Sequence, residues 1–182
     1  EKLSDLTARI AAAEQLDTSF LRQPYDVGLQ NSFGRKVIKK IGYPFDRGRL
    51  DLAAHPFTTT LGTHDVRITT RYDENYIPSG LFSNIHECGH ALYELGPAGN
   101  LQGTILASGV SLGIHESQSR MWENMIGRSR PFWEHFYCDL QQTFSGQLKD
   151  VSLDSFYKAV NNVSPSFIRV EADEVTYSLH VI

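Results

Sequence analysis

Cysteine is scarce in this chain of 182 residues, which has only two, and neither sign of charge is in large excess: 17 Lys and Arg face 21 Asp and Glu, a formal net charge of −4. Cys88 and Cys138 cannot staple a small fold together, so stability has to come from an apolar core. A reducing compartment such as the cytoplasm fits both thiols. The lack of a positive excess removes the electrostatic ground for a nucleic-acid partner. No uninterrupted apolar run approaches the roughly 20 residues that a membrane-crossing helix requires, and no basic-then-apolar pattern marks a secretory signal. Repeats and low-complexity tracts are also missing. The 41% apolar and 21% charged residues are ordinary for a globular domain with a sizeable core.

Periodicity predicts a mainly α chain. Leu3, Leu6, Ile10, Ala13 and Leu16 form a helical stripe over residues 3–16. Asn31 to Ile41 reads as a short basic helix stopped by Gly42 and Pro44, and Asp46 to Ala54 as another short helical piece. From Phe57 to Tyr72 the chain turns to Thr, Val and Ile. This predicts a small antiparallel β-ribbon of Phe57–Leu61 and Val66–Arg71 around Gly62-Thr63-His64, lying against helices. A helix follows from Pro78 to Leu95, with Leu81, Ile85, Cys88, Leu92 and Leu95 as its buried stripe, and Gly96-Pro97 stops it. A glycine-rich loop to Gly103 precedes a long helix over Ser111–Ile126, then helices near 131–147 and 153–160. Ser164-Pro165-Ser166 breaks the chain before a last helix whose Val175, Leu179 and Ile182 are still in phase where the sequence stops. With Glu1 in place of Met, that pattern leads to the expectation of a single domain, 1–182, excised from something longer.

The chemistry concentrates in Ile85-His86-Glu87-Cys88-Gly89-His90. On a helix, positions i and i+4 lie one above the other, so His86 and His90 can hold one metal ion from the same side. Glu87 is turned away from that line, where it can reach a water beside the ion without ligating it. Cys88 reads as a small buried thiol, since the two imidazoles define a different face. A catalytic zinc site usually takes three protein ligands and keeps a position open. The third has to come from elsewhere, and Glu116 on the following helix is the candidate. His115, Glu94 and Glu123 are rivals, and a solvated Glu116 is the plain alternative. In this arrangement Glu87 would act as general base toward water and then pass the proton to the leaving amine of a peptide bond.

These residues also carry a resemblance. His55-Pro56-Phe57, Asp65-Val66-Arg67-Ile68-Thr69, His86-Glu87-Cys88-Gly89-His90, His115-Glu116-Ser117-Gln118 and Ile168-Arg169-Val170-Glu171-Ala172-Asp173-Glu174 occur in that order. Together they resemble the M32 metallocarboxypeptidases, the thermostable or Taq-type family, from about residue 20 to the last residue. The resemblance implies a helical zincin-like fold with a neurolysin-type groove, a cytoplasmic homodimer, and release of C-terminal amino acids with broad specificity. It implies His86, His90 and Glu116 as ligands of zinc, with cobalt as a substitute, and Glu87 as the general base. Members of the family are longer than this chain. The stretches expected to precede and follow it, including a later motif with Gln, His and Trp and tyrosines that would steady an oxyanion, fall outside it.

A carboxypeptidase has to read a free terminal carboxylate, which arginine does well through its fork of donors. Arg67, Arg71 and Arg169 are the candidates. The resemblance favours Arg169 and places Asp65, Arg67 and Thr69 at the groove, whereas an Asp65–Arg67 ion pair at a turn is the structural alternative. A ribbon edge beside the metal helix could also pair with an extended peptide. A different class of function stands beside the enzyme: a truncated, non-catalytic helical module that retains the motif but serves in partner binding or assembly.

Overall fold

The computed structural model describes residues 2–164, 173 and 175–177. Helix α1 (Lys2–Ala11) ends earlier than its apolar stripe suggested and buries none of its residues. Helix α2 (Val27–Ile41) starts where the Asp26 carboxylate accepts the Leu29 N–H, and it stops at Gly42, whose φ of 122° only glycine adopts readily. Strands β1 (Leu50–Leu52), β2 (Thr58–Gly62) and β3 (Asp65–Thr70) follow, then helix α3 (Ile77–Glu94) with Pro78 in its first turn. Helix α4 (Leu112–Arg120) continues without a break into a widened π-helical segment, Met121–Ile126. Helices α5 (Arg130–Thr143), α6 (Ser145–Leu148) and α7 (Leu153–Val160) complete the described elements. Of the expected last helix, Leu179, His180 and Ile182 lie outside the described residues. Among the described residues, no helix is long and apolar enough to cross a membrane.

The ribbon has the expected hairpin, with β2 antiparallel to β3, but a third strand joins it: the order is β1-β3-β2, with β1 parallel to β3. This corrects the helical reading of Asp46 to Ala54. The N–H groups of Val66 and Ile68 bond the carbonyls of Arg47 and Arg49, and Ala53 N–H bonds the Thr70 carbonyl. Pairing with a neighbouring strand thus overrides local helical preference. At Gly48 a Cβ would lie 2.2 Å from the Val66 carbonyl oxygen and 2.3 Å from the Tyr43 hydroxyl, so no side chain fits where the chain closes on β3.

Two apolar clusters meet on α3. Ile77, Leu81, Phe82 and Ile85 pack into a helical core with Val37, Trp133, Leu140 and Phe156. Cys88 and Ala91 pack under the sheet with Ile38, Tyr43, Val66 and Ile68. Each large apolar side chain removed from water on this scale contributes about 1.5–3 kcal/mol. Helix α3 is therefore clamped from both sides, and its remaining strip, carrying His86 and His90, faces α4.

Candidate metal centre

The clamped helix fixes His86 and His90 one turn apart, with ring centroids separated by 4.9 Å. Helix α4 comes unusually close to it. A Cβ on Gly89 would stand 2.7 Å from Ser119 Cα and 3.1 Å from the Gln118 carbonyl oxygen, so the glycine is what allows the two backbones to touch. That contact carries Glu116 to the two rings: its Oε2 lies 3.8 Å from His86 Nε2 and 3.6 Å from His90 Nε2. One donor atom from each of the three residues falls within 4.8 Å of the other two. Ligands about 2.1 Å from a tetrahedral ion stand roughly 3.4 Å apart. Two nitrogens and one carboxylate oxygen gathered in this way are a donor set that suits a divalent ion, which would draw them closer together.

Both rings present Nε2 to the cluster and use Nδ1 elsewhere. His86 Nδ1 lies 2.8 Å from Glu123 Oε2, and the other oxygen of Glu123 accepts from Arg128 at 3.1 Å. Glu123 and Arg128 are five positions apart, a spacing that puts residues on different faces of a regular α-helix. The widened segment brings such residues into line, as the Gly127 N–H bond to the Trp122 carbonyl at 2.7 Å also shows. His90 Nδ1 lies 2.6 Å from His115 Nδ1, and His115 Nε2 lies 2.6 Å from Glu94 Oε1. Three of the residues weighed as rival ligands, Glu123, His115 and Glu94, thus stand behind the histidines instead of beside Glu116.

The charges follow from this geometry. Burial pulls the His86 imidazole down, but the Glu123 hydrogen bond and the fields of Glu123, Glu87 and Glu116 outweigh it and raise its pKa. Burial pushes Glu123 up, yet the His86 hydrogen bond and the charges of Arg128 and His86 leave it below the ordinary carboxylate value. His90 beside Glu116, then His86 and Arg120, act against partial burial and hold the Glu116 carboxyl at about 2. The Cys88 thiol, fully buried under the sheet, is pushed up to about 12. It stays protonated and off the ligand face, as its place in the sequence suggests.

Glu87 is buried, and the Thr58 hydroxyl at the start of β2 sits 2.6 Å from its Oε2 and 3.1 Å from its backbone carbonyl. A hydroxyl has one proton to donate, and the shorter contact assigns it to the carboxylate. Thr58 was not legible as a site residue: nothing in a run of three threonines marks the one that reaches another element. Asp65 and Arg67 pair with each other through two bonds, 2.9 and 2.7 Å, on the outward side of β3. That bond to Arg67 holds the Asp65 carboxyl below its ordinary value. Among the described residues, no hydrogen bond or ion pair joins either of them to His86, His90 or Glu116. The Arg71 guanidinium points to the Ala54 carbonyl at 3.5 Å. Arg169 lies outside the described residues.

A His-Glu-x-x-His helix meeting a glutamate from the next helix is the donor arrangement of a metallopeptidase. The sequence model described as Carboxypeptidase Taq (M32) metallopeptidase matches residues 1–182, and the chain belongs to that family. It is 50% identical to thermostable carboxypeptidase 1 of Thermus thermophilus over 183 aligned positions, covering 100% of this chain and 36% of that protein. With carboxypeptidase 1 of Bacillus subtilis the identity is 49% over 172 positions, covering 94% of this chain and 34% of the relative. The crystal structure of an M32 carboxypeptidase from Deinococcus radiodurans R1 superimposes with a TM-score of 0.95 at 51% identity, covering 98% of this chain and 36% of that one. The chain thus spans about a third of the length of the relatives it matches.

Proposed function

We propose that these residues form one domain of a longer, cytoplasmic, homodimeric zinc carboxypeptidase that releases C-terminal amino acids from peptides with broad specificity. His86, His90 and Glu116 hold the ion, Glu87 is the general base, and Asp65, Arg67 and Arg169 contribute to the substrate groove. The observation that carries the reading is the convergence of His86 Nε2, His90 Nε2 and Glu116 Oε2 next to a buried Glu87. Family membership agrees with it.

A divalent ion at this site supplies Lewis-acid chemistry, acidifying water and polarising a carbonyl. The protein groups do the rest. Glu87, one oxygen tied to Thr58, takes the proton from the attacking water and delivers it to the leaving amine. Glu123 and His115 orient the two imidazoles from behind. The buried walls of α3 and the sheet keep Glu87 in a setting where its charge acts strongly on nearby protons.

Mass-spectrometric metal analysis of protein purified without chelators is expected to give one zinc per chain. Glu87→Gln is expected to keep the metal and lower turnover by about 10²–10⁴-fold. Near-normal turnover in that variant excludes Glu87 as the base. Amidating a peptide's C-terminus is expected to abolish its cleavage; continued internal cleavage would point to an endopeptidase. A metal-free, stably oligomeric protein would favour the assembly module.

A further inference from the structure

Resting on the metal-site reading above, we propose that His115 and Glu94 are positioning residues that fix which nitrogen of His90 is offered to the ion, by a fixed order of protons across three side chains. The geometry leaves little freedom. His90 Nε2 faces Glu116 at 3.6 Å, so a metal-holding His90 keeps Nε2 bare and carries its proton on Nδ1. That proton points into the 2.6 Å contact with His115 Nδ1, which therefore accepts and is itself bare. His115 then carries its proton on Nε2 and donates it to Glu94 Oε1 at 2.6 Å. Glu94 acts as an acceptor throughout, because the Gly109 N–H also donates to the same oxygen at 3.3 Å. Each contact accommodates one proton, so choosing the bare nitrogen of His90 sets the other two.

The surroundings hold His115 in this place. The Tyr93 ring meets it edge-on, with centroids 5.2 Å apart. The Tyr93 hydroxyl is in turn tied to the Val110 N–H at 3.2 Å. A Cβ on Gly109 would stand 2.9 Å from Glu94 Oε1, 2.9 Å from the His115 ring and 3.0 Å from the Tyr93 ring, so this turn of the chain closes over the pair. Glu94 is buried, 7% exposed. Both nitrogens of His115 are engaged, one by His90 and one by Glu94, which leaves it no free donor for the ion. His86 is backed differently: its Nδ1 meets Glu123 directly, and Arg128 offsets that charge. The two imidazoles are thus oriented by devices of different reach, with a carboxylate in contact with one and a carboxylate one imidazole removed from the other.

The test is the affinity of the full chain for zinc, measured by competition with a chelator, with folding of each variant checked by circular dichroism. His115→Ala is expected to weaken zinc binding on the order of 10- to 100-fold. His115→Asn is expected to retain most of it, because the amide oxygen stands near the place of Nδ1 and accepts the same hydrogen bond. Affinity unchanged in His115→Ala overturns the inference, and so does an equal loss in both variants, which would reduce His115 to packing. Nitrogen NMR of the unaltered zinc-loaded chain needs no variant: His115 is expected to be protonated at Nε2 and bare at Nδ1. A proton on His115 Nδ1 in that spectrum would falsify the proposed order. If the unaltered chain binds no zinc, the metal-site reading falls and this inference with it; loss confined to the His115 predictions leaves that reading intact.

Discussion

Helices α3 and α4 support the candidate ligands by very different means. Twelve of the eighteen residues of α3 are buried, against one of the nine in α4, Ser119. The first helix carries two candidate ligands in a setting fixed on two sides. The second carries one candidate ligand in a setting fixed mainly where it touches Gly89. Rigidity in this site therefore lives in the motif helix, and the third ligand depends on a backbone contact more than on a core of its own.

Removing an imidazole from the rigid side should have the largest effect. His86→Ala is expected to abolish stoichiometric metal binding, read by mass-spectrometric metal analysis, while also leaving the partly buried Glu123 with one partner fewer. Within the core, Ile85→Ala should cost about 2–5 kcal/mol in chemical denaturation, because Ile85 is fully buried and its cavity would open between α3 and the end of the π segment. Gly89→Val attacks the joint between the helices. Its side chain would meet the Ser119 backbone, which has no rotamer to yield, and a loss of about 1–3 kcal/mol should come with a drop in metal affinity as Glu116 is pushed away. A Gly89→Val protein that binds metal normally would show that the place of Glu116 does not depend on this joint.

Acidification acts on the two helices differently. Glu116, held at about 2, stays ionised over the working range, whereas His86 has a raised pKa and takes up a proton first. An ion binds only the unprotonated imidazole. Affinity is therefore expected to be full above the raised His86 value and to fall as pH drops through it, in chelator competitions run at a series of pH values. The smallest effect should come from the loose side: Ile114→Ala on α4, at a half-exposed position, is expected to shift stability by less than about 0.5 kcal/mol.

The motif helix and its stop were legible because one amphipathic pattern and one Gly-Pro pair sufficed. The hairpin was legible through its β-branched residues. Strand β1 was not, although Arg49, Leu50, Asp51 and Leu52 alternate, since three residues give too short a period to outweigh the surrounding sequence. The π segment was read as ordinary helix, because apolar spacing does not reveal one widened turn. Of the candidate site, His86, Glu87 and His90 follow from spacing on one element. Glu116 stood among rivals in the sequence; the Gly89 contact between two helices is what sets it beside His86 and His90, with the rivals behind them. Thr58 is a partner drawn from a strand 29 positions earlier, and no local pattern announces such a bond.

The wide coil at Met121–Ile126 has one more consequence. Deleting the exposed Met125 would let the chain wind regularly and would leave Glu123 and its arginine four positions apart, a comfortable spacing. Five residues in the wide coil sweep about the angle that four sweep in a regular helix, so the chain beyond it, with Trp133 against Phe156, would keep its direction. The surplus residue is thus taken up within one turn, which leaves both the glutamate behind His86 and the aromatic interior beyond it in place.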